Sequence, residues 1–231
     1  MTAINNKHKF IFIHIPKNGG TSIMKILSSY STPIDVEIGG TQIGELLQPS
    51  YVERYGISKH STALKLKEVL GDDIWQSYFT FAVVRHPFTR FVSAFNFLRK
   101  WHSWKSHAKI IKFDNVNEFI ESDFIFKEKI PDQMFNPQTS WILNTTCDGL
   151  LVNAYLKLEK INVELDEILS RIKLPYDSSI NPVLKLNSSS DSPEDVWDLL
   201  TDKSKKKLYE IYKSDFDLFK YVYSNTKCNT V

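Results

Sequence analysis

Phe10-Ile11-Phe12-Ile13-His14-Ile15-Pro16-Lys17-Asn18-Gly19-Gly20-Thr21-Ser22 is the stretch that decides the fold. Its first half is a short run of β-formers closed by Pro16, which is how a strand buried on both faces of a parallel sheet reads. After the glycine pair the period changes. Ile23, Ile26, Leu27 and Tyr30 recur at i, i+3, i+4 and i+7, one face of a helix, with Thr21 or Ser22 placed to cap its start. The local architecture is strand, tight glycine turn, helix.

A second unit of this kind begins at Tyr78-Phe79-Thr80-Phe81-Ala82-Val83-Val84 and turns at Arg85-His86-Pro87. Its helix carries Phe88, Phe91, Val92, Phe95 and Leu98, with Ser93 on the opposite face. Leu150 to Leu156 read as a third parallel strand before a helix around Val163 to Ile172. Residues 31–57 read mostly as loop, with one short helix around Glu45 to Tyr55. Ser61 caps a helix over Ala63 to Leu70 that stops at Gly71, so His60 sits just outside the cap. A helical tail follows Ser192-Pro193. Strands alternating with helices imply an α/β domain with a central parallel sheet flanked by helices, and ligands sit beyond the carboxyl ends of its strands. Lys17 and Arg85 both lie at that end.

Composition narrows the function. With 231 residues, 42% hydrophobic and 24% charged, the chain is expected to fold as one domain, 1–231, rather than remain disordered. Its 29 Lys and Arg against 27 Asp and Glu leave a formal charge of +2, too little for a nucleic-acid binder, so anion binding must be local. The two cysteines, Cys147 and Cys228, resemble neither a metal cluster nor a disulfide framework. The polar start and the break at Pro16 match no signal peptide or membrane segment, and a cytoplasmic protein is expected. Oligomeric state has no signature.

The turn from Pro16 to Ser22 offers backbone N–H groups, a helix terminus, the Lys17 ammonium and two hydroxyls, a set suited to a phosphate-like anion. A lone Gly-Gly-Thr is equally compatible with a tight turn that merely satisfies backbone geometry. The lysine precedes the glycine pair, unlike the G-x-x-x-x-G-K-[ST] order of ATPases and GTPases. Arg85 and Ser93 could hold a second anion, a guanidinium being matched to a phosphate monoester; Arg85 paired with a surface carboxylate and Ser93 solvated is the alternative.

Taken together, HIPKNGGTS and FAVVRHPFTRFVSAF resemble the two donor-binding signatures of the sulfotransferases that use 3'-phosphoadenosine 5'-phosphosulfate (PAPS), particularly the Golgi carbohydrate sulfotransferases and their bacterial relatives. The resemblance implies a three-layer, P-loop-like fold and an enzyme that moves a sulfuryl group from PAPS to a hydroxyl of a carbohydrate or other polar acceptor, leaving 3'-phosphoadenosine 5'-phosphate (PAP), with no metal required. It implies Lys17, Asn18, Gly19, Gly20, Thr21 and Ser22 around the 5'-phosphosulfate and Arg85 and Ser93 around the 3'-phosphate. It extends to Gln138, to a strand ending near Glu159, and to Leu186-Asn187-Ser188, whose Asn187 and Ser188 it sets near the nucleotide. Lys17 would neutralise charge on the departing phosphate.

An attacking hydroxyl must lose its proton, and His60 is the leading base, since the nearby helix start favours neutral imidazole. His14, His86 and Glu53 are rivals. Lys100, Trp101, His102, Trp104, Lys105, His107, Lys109 and Lys112 form a basic aromatic segment that either contacts the acceptor or packs its tryptophans inward. A kinase-like phosphotransferase using ATP and magnesium, and a non-catalytic nucleotide-binding protein, are the competing functions.

Overall fold

The computed structural model describes residues 1–122, 124, 132–146, 148–179, 182–183 and 193–223. The chain forms two compact units, Met1–Val84 with Ser140–Ser188 and Arg85–Thr139 with Ser189–Val231.

In the first unit β1 (Thr2–Asn5) and β2 (Phe10–Ile13) form a hairpin, α1 (Gly20–Ser28) follows, then β3 (Val36–Ile38), α2 (Gln42–Tyr55), α3 (Ala63–Leu70), α4 (Asp72–Ser77) and β4 (Phe79–Val84). The second unit then supplies α5 (Pro87–Lys100), α6 (His107–Ile110) and α7 (Val116–Glu121). After α8 (Thr139–Ile142) the chain returns to the first unit with β5 (Ala154–Lys157) and α9 (Ile161–Arg171). It closes in the second with α10 (Pro193–Leu199), α11 (Asp202–Ile211) and α12 (Lys213–Phe219).

The five strands are ordered β3-β1-β2-β4-β5. β2, β4 and β5 are parallel, Ile13 opposite Ala82 and Val83 opposite Leu156, but β1 pairs antiparallel with both β2 and β3. The expected all-parallel sheet is therefore corrected to a mixed one. The reason lies in residues 1–9, which read only as a polar start. Thr2-Ala3-Ile4-Asn5 is too short to show an alternation, and its hairpin is closed by a polar turn in which the His8 N–H donates to Asn5 Oδ1 at 2.7 Å and Lys9 adopts φ 54°.

Alternation along the strands builds the core. Phe10, Phe12, Phe81, Val83 and Leu156 pack with Ile23, Met24 and Leu27 of α1 and with Leu165 and Leu169 of α9. Ile11, Ile13, Ala82 and Val84, at the alternate positions, are buried as well, so β2 and β4 are covered on both faces. Three boundaries shift from the sequence reading. The helix expected from Glu45 starts at Gln42, because Thr41 caps it by accepting from the Gly44 N–H. Thr62, not Ser61, caps α3, accepting from the Lys65 N–H. The third strand lies at Ala154–Lys157 rather than Leu150–Leu156, and Leu150 makes only an isolated bridge to Leu143.

In the second unit α5 is buried on every side from Pro87 to Phe95, so Ser93, at 8% exposure, is not solvated, which was the alternative weighed for it. Phe91, Phe95, Phe119, Phe135 and Tyr212 interlock around it as an aromatic core. Among the described residues no helix is long and apolar enough to cross a membrane.

Candidate functional site

The turn after β2 is shaped by three constraints. Lys17 and Gly19 both take left-handed backbone angles, φ 71° and φ 74°, an uncommon state for lysine that persists only when its surroundings enforce it. Asn18 supplies the enforcement: it is completely buried, and its Nδ2 donates to the Val83 carbonyl at the end of β4 at 2.7 Å. A Cβ at Gly19 would lie 2.7 Å from Leu158 Cδ1, so a side chain there would have to displace the leucine tip as well as bear the left-handed backbone.

Gly19 is also the N-cap of α1, which corrects the expected Thr21 or Ser22 cap. The Ser22 and Ile23 N–H groups both donate to the Gly19 carbonyl, and no side chain caps the helix. Thr21 and Ser22 fall in the first turn instead. A helix start without a capping side chain presents its first N–H groups to whatever lies beyond its end.

Gly20 has a different duty. A Cβ there would lie 2.0 Å from Cδ2 and Nε2 of His14, so the imidazole occupies the space a side chain would take. The His14 ring is buried, and its centroid is 4.7 Å from that of His60. His60, far off in sequence, is thereby brought to the glycine turn through one intervening ring. Its carbonyl accepts from the Trp141 indole N–H at 3.1 Å, and its N–H donates to Ser58 Oγ at 3.4 Å. The preceding residue is braced too: the Lys59 N–H donates to Gln48 Oε1 at 3.0 Å and its ammonium pairs with Glu45 at 3.0 Å. Glu53, the carboxylate rival, lies exposed on α2.

Burial, and next the neighbouring amino group of Met1, hold the His14 imidazole well below its ordinary value of 6.5. An unfolded chain protonates this ring as pH falls through that value while the folded chain does not, so folding stability should drop below it. Urea unfolding at about pH 7.5 and about pH 5.5 should show a smaller acid loss for His14→Gln than for the wild type. The same loss in both chains would rule out His14 as the source.

The second unit holds the other candidates. Arg85 follows directly on β4, and its Nε donates to Thr89 Oγ1 at 3.0 Å. His86 caps α5, its Nδ1 accepting from the Phe88 N–H at 3.3 Å, and its ring meets Phe88, Phe216 and Tyr221 edge-on. It shapes the turn before Pro87, as expected. Beneath the Arg85 backbone, Gln138 and Asp215 form a buried hydrogen-bonded cluster. Burial pushes the Asp215 carboxyl up, opposed by N–H donors from Gln138 and Thr139. Sequence reading set Gln138 only by its order and passed over Asp215. The signal was available: Asp215 lies three residues after Tyr212 and four before Phe219, on an otherwise apolar helix face.

In the basic aromatic segment Trp104 is partly covered and donates to Asp132, whereas Trp101 remains 51% exposed, stacked on Phe97. Inward packing therefore holds for one of the two tryptophans. His102 Nδ1 lies 3.1 Å from His107 Nε2. Asn187 and Ser188 lie outside the described residues.

A family model described as the sulfotransferase family matches residues 1–222. Carbohydrate sulfotransferase 11 of Mus musculus is 25% identical over 256 aligned positions, covering 96% of this chain and 67% of that protein. Carbohydrate sulfotransferase 11 of Rattus norvegicus aligns with the same identity and coverage. No solved structure matches.

Proposed function

The chain belongs to the sulfotransferase family, and from that premise we propose that it carries a sulfuryl group from PAPS to a hydroxyl of a carbohydrate or similar polar acceptor by in-line displacement, releasing PAP. The observation that carries this reading is the closeness of His60 to His14, ring centroids 4.7 Å apart, with His14 packed against Gly20: a candidate proton acceptor stands next to the turn proposed to bind the anion. The similarity to two carbohydrate sulfotransferases supports a glycan acceptor.

The residues of the turn fit an anionic donor. Left-handed backbone at Lys17 and Gly19, the close approach at Gly20 and a helix start without a capping side chain leave backbone N–H groups at the turn to meet an anion. When bound, PAPS supplies a sulfuryl group already activated by its phosphate leaving group. Lys17, Gly19, Gly20, Thr21 and Ser22 hold the 5'-phosphosulfate, and Asn18 contributes by fixing the turn through Val83. Arg85 and Ser93 hold the 3'-phosphate, and Asn187 and Ser188 complete the nucleotide contacts. Lys17 neutralises charge at the departing 5'-phosphate oxygen. His60 takes the acceptor's hydroxyl proton on its imidazole. The same reading keeps a P-loop-like, three-layer arrangement within one sulfotransferase domain; α1 and α9 packed on one face of the strands, and the burial of Ile11, Ile13, Ala82 and Val84 on the other, support it.

Calorimetric titration with PAP and with ADP tests the donor. PAP should bind more tightly without magnesium, and Arg85→Ala should lower the preference about tenfold, the scale of one charge-assisted contact. Equal or weaker binding of PAP than of ADP by the wild type would remove the donor assignment.

A further inference from the structure

Gln138 is fully buried, and its carboxamide serves both backbone polar groups of Arg85. The Arg85 N–H donates to Gln138 Oε1 at 2.9 Å, and Gln138 Nε2 donates to the Arg85 carbonyl at 2.8 Å. One side chain thus does for this residue what a neighbouring strand does within a sheet. The carboxamide is itself fixed. The Gln138 N–H donates to Asp215 Oδ2 at 2.9 Å, its Nε2 lies 3.2 Å from the same oxygen, and the Thr139 N–H donates to Asp215 Oδ1 at 2.9 Å. With two acceptors around Nε2, the amide can face only one way. Outward from the backbone, Arg85 Nε donates to Thr89 Oγ1, and that hydroxyl donates to the His86 carbonyl at 2.9 Å.

Such an arrangement is costly as mere scaffolding. Asp215 is completely buried, and a buried carboxylate is usually neutral or unfavourable for stability compared with apolar packing. What the cluster achieves is control over one residue. Its backbone peptide groups cannot rotate, and its guanidinium is tethered at Nε. A planar guanidinium recognises a phosphate through paired donors, and that recognition fails when the fork is turned by a few tens of degrees.

We propose that Gln138, held by Asp215, is a positioning residue that aims the Arg85 guanidinium and thereby sets the enzyme's discrimination for nucleotides bearing a 3'-phosphate. The inference rests on the donor reading given above and adds to it the device that makes Arg85 selective. Gln138 touches no nucleotide in this scheme and acts through Arg85 alone.

The test is the ratio of PAP to ADP affinity, measured by calorimetry on the full chain. Gln138→Met keeps the length of the side chain and removes both hydrogen bonds to Arg85. The ratio should fall about tenfold, with ADP affinity unchanged. In an Arg85→Ala background the same substitution should leave the ratio where Arg85→Ala alone puts it. A merely structural role would weaken both nucleotides together and leave the ratio intact, which would overturn the proposal. Should Gln138→Met fail to fold, Thr89→Val, which removes the hydroxyl that receives Arg85 Nε, must lower the ratio in the same direction, and an unchanged ratio there overturns it equally. A wild type without preference for PAP would sink the donor reading itself. A wild type that prefers PAP, with variants that do so undiminished, would sink the positioning role alone.

Discussion

Replacing His60 by alanine should lower turnover by about 100-fold or more while leaving PAP affinity unchanged, the scale expected when a general base is lost. The ring stands 4.7 Å from His14, which lies on the glycine turn, and the backbone of His60 and of the preceding Lys59 is braced by Trp141 and Gln48. A base must be held near the proton it removes, and loss of this ring leaves the bracing intact, so the donor turn should keep its shape. The neighbouring His14 is a poor substitute: it is 5% exposed, and its ring is covered by Gly20. Turnover measured by sulfuryl transfer from labelled PAPS, paired with calorimetric PAP binding, checks both halves. Turnover within a few-fold of the wild type would assign the proton to another group, and a parallel loss of PAP binding would make His60 a donor contact instead.

Gly20→Ala should be the most damaging single methyl in the first unit. The added carbon would fall 2.0 Å from two ring atoms of His14, and that ring cannot withdraw, being buried between the turn and His60. Overpacking of this kind costs about 1 to 3 kcal/mol, which for a chain of this size lowers the melting temperature by several degrees. PAP binding should fall with it, because the displaced backbone belongs to the turn proposed to hold the donor's anion. The double variant His14→Ala with Gly20→Ala provides the control, since shortening the ring makes room for the methyl. Thermal unfolding should show recovery in the double variant. If Gly20→Ala alone melts with the wild type, the close approach of His14 is not a constraint.

Much of the fold was legible because its signals were local. The change of period at Gly19-Gly20 and the run Tyr78 to Val84 each announce a strand entering a helix, and β2, β4, α1 and α5 lie where those signals put them. What escaped reading depended on partners distant in the chain. Thr2–Asn5 becomes a strand through pairing on both edges, which four residues cannot advertise. The burial of Ser93 could not be read because apolar periodicity marks only the side that packs most tightly, whereas α5 is enclosed all round from Pro87 to Phe95. The site divides in the same way. The Lys17 turn and Arg85 are motif-borne, but the contact of His14 with Gly20 and the grip of Gln138 on Arg85 are properties of packing. Gly20 could be read as conformational freedom or as close approach, and only the position of the His14 ring decides for the latter.

The hydrogen bond from Asn18 to the Val83 carbonyl carries one last consequence. A peptide spanning residues 10–28 would contain every donor of the cradle yet lack the carbonyl that bends it, so the cradle exists only in the assembled sheet. Occupancy and folding are then thermodynamically linked: a compound that fills the cradle draws the equilibrium away from the unfolded chain, by about 2.7 kcal/mol when present at a hundred times its dissociation constant. Donor-analogue and inhibitor collections can accordingly be screened by the rise in melting temperature, without an assay for the reaction.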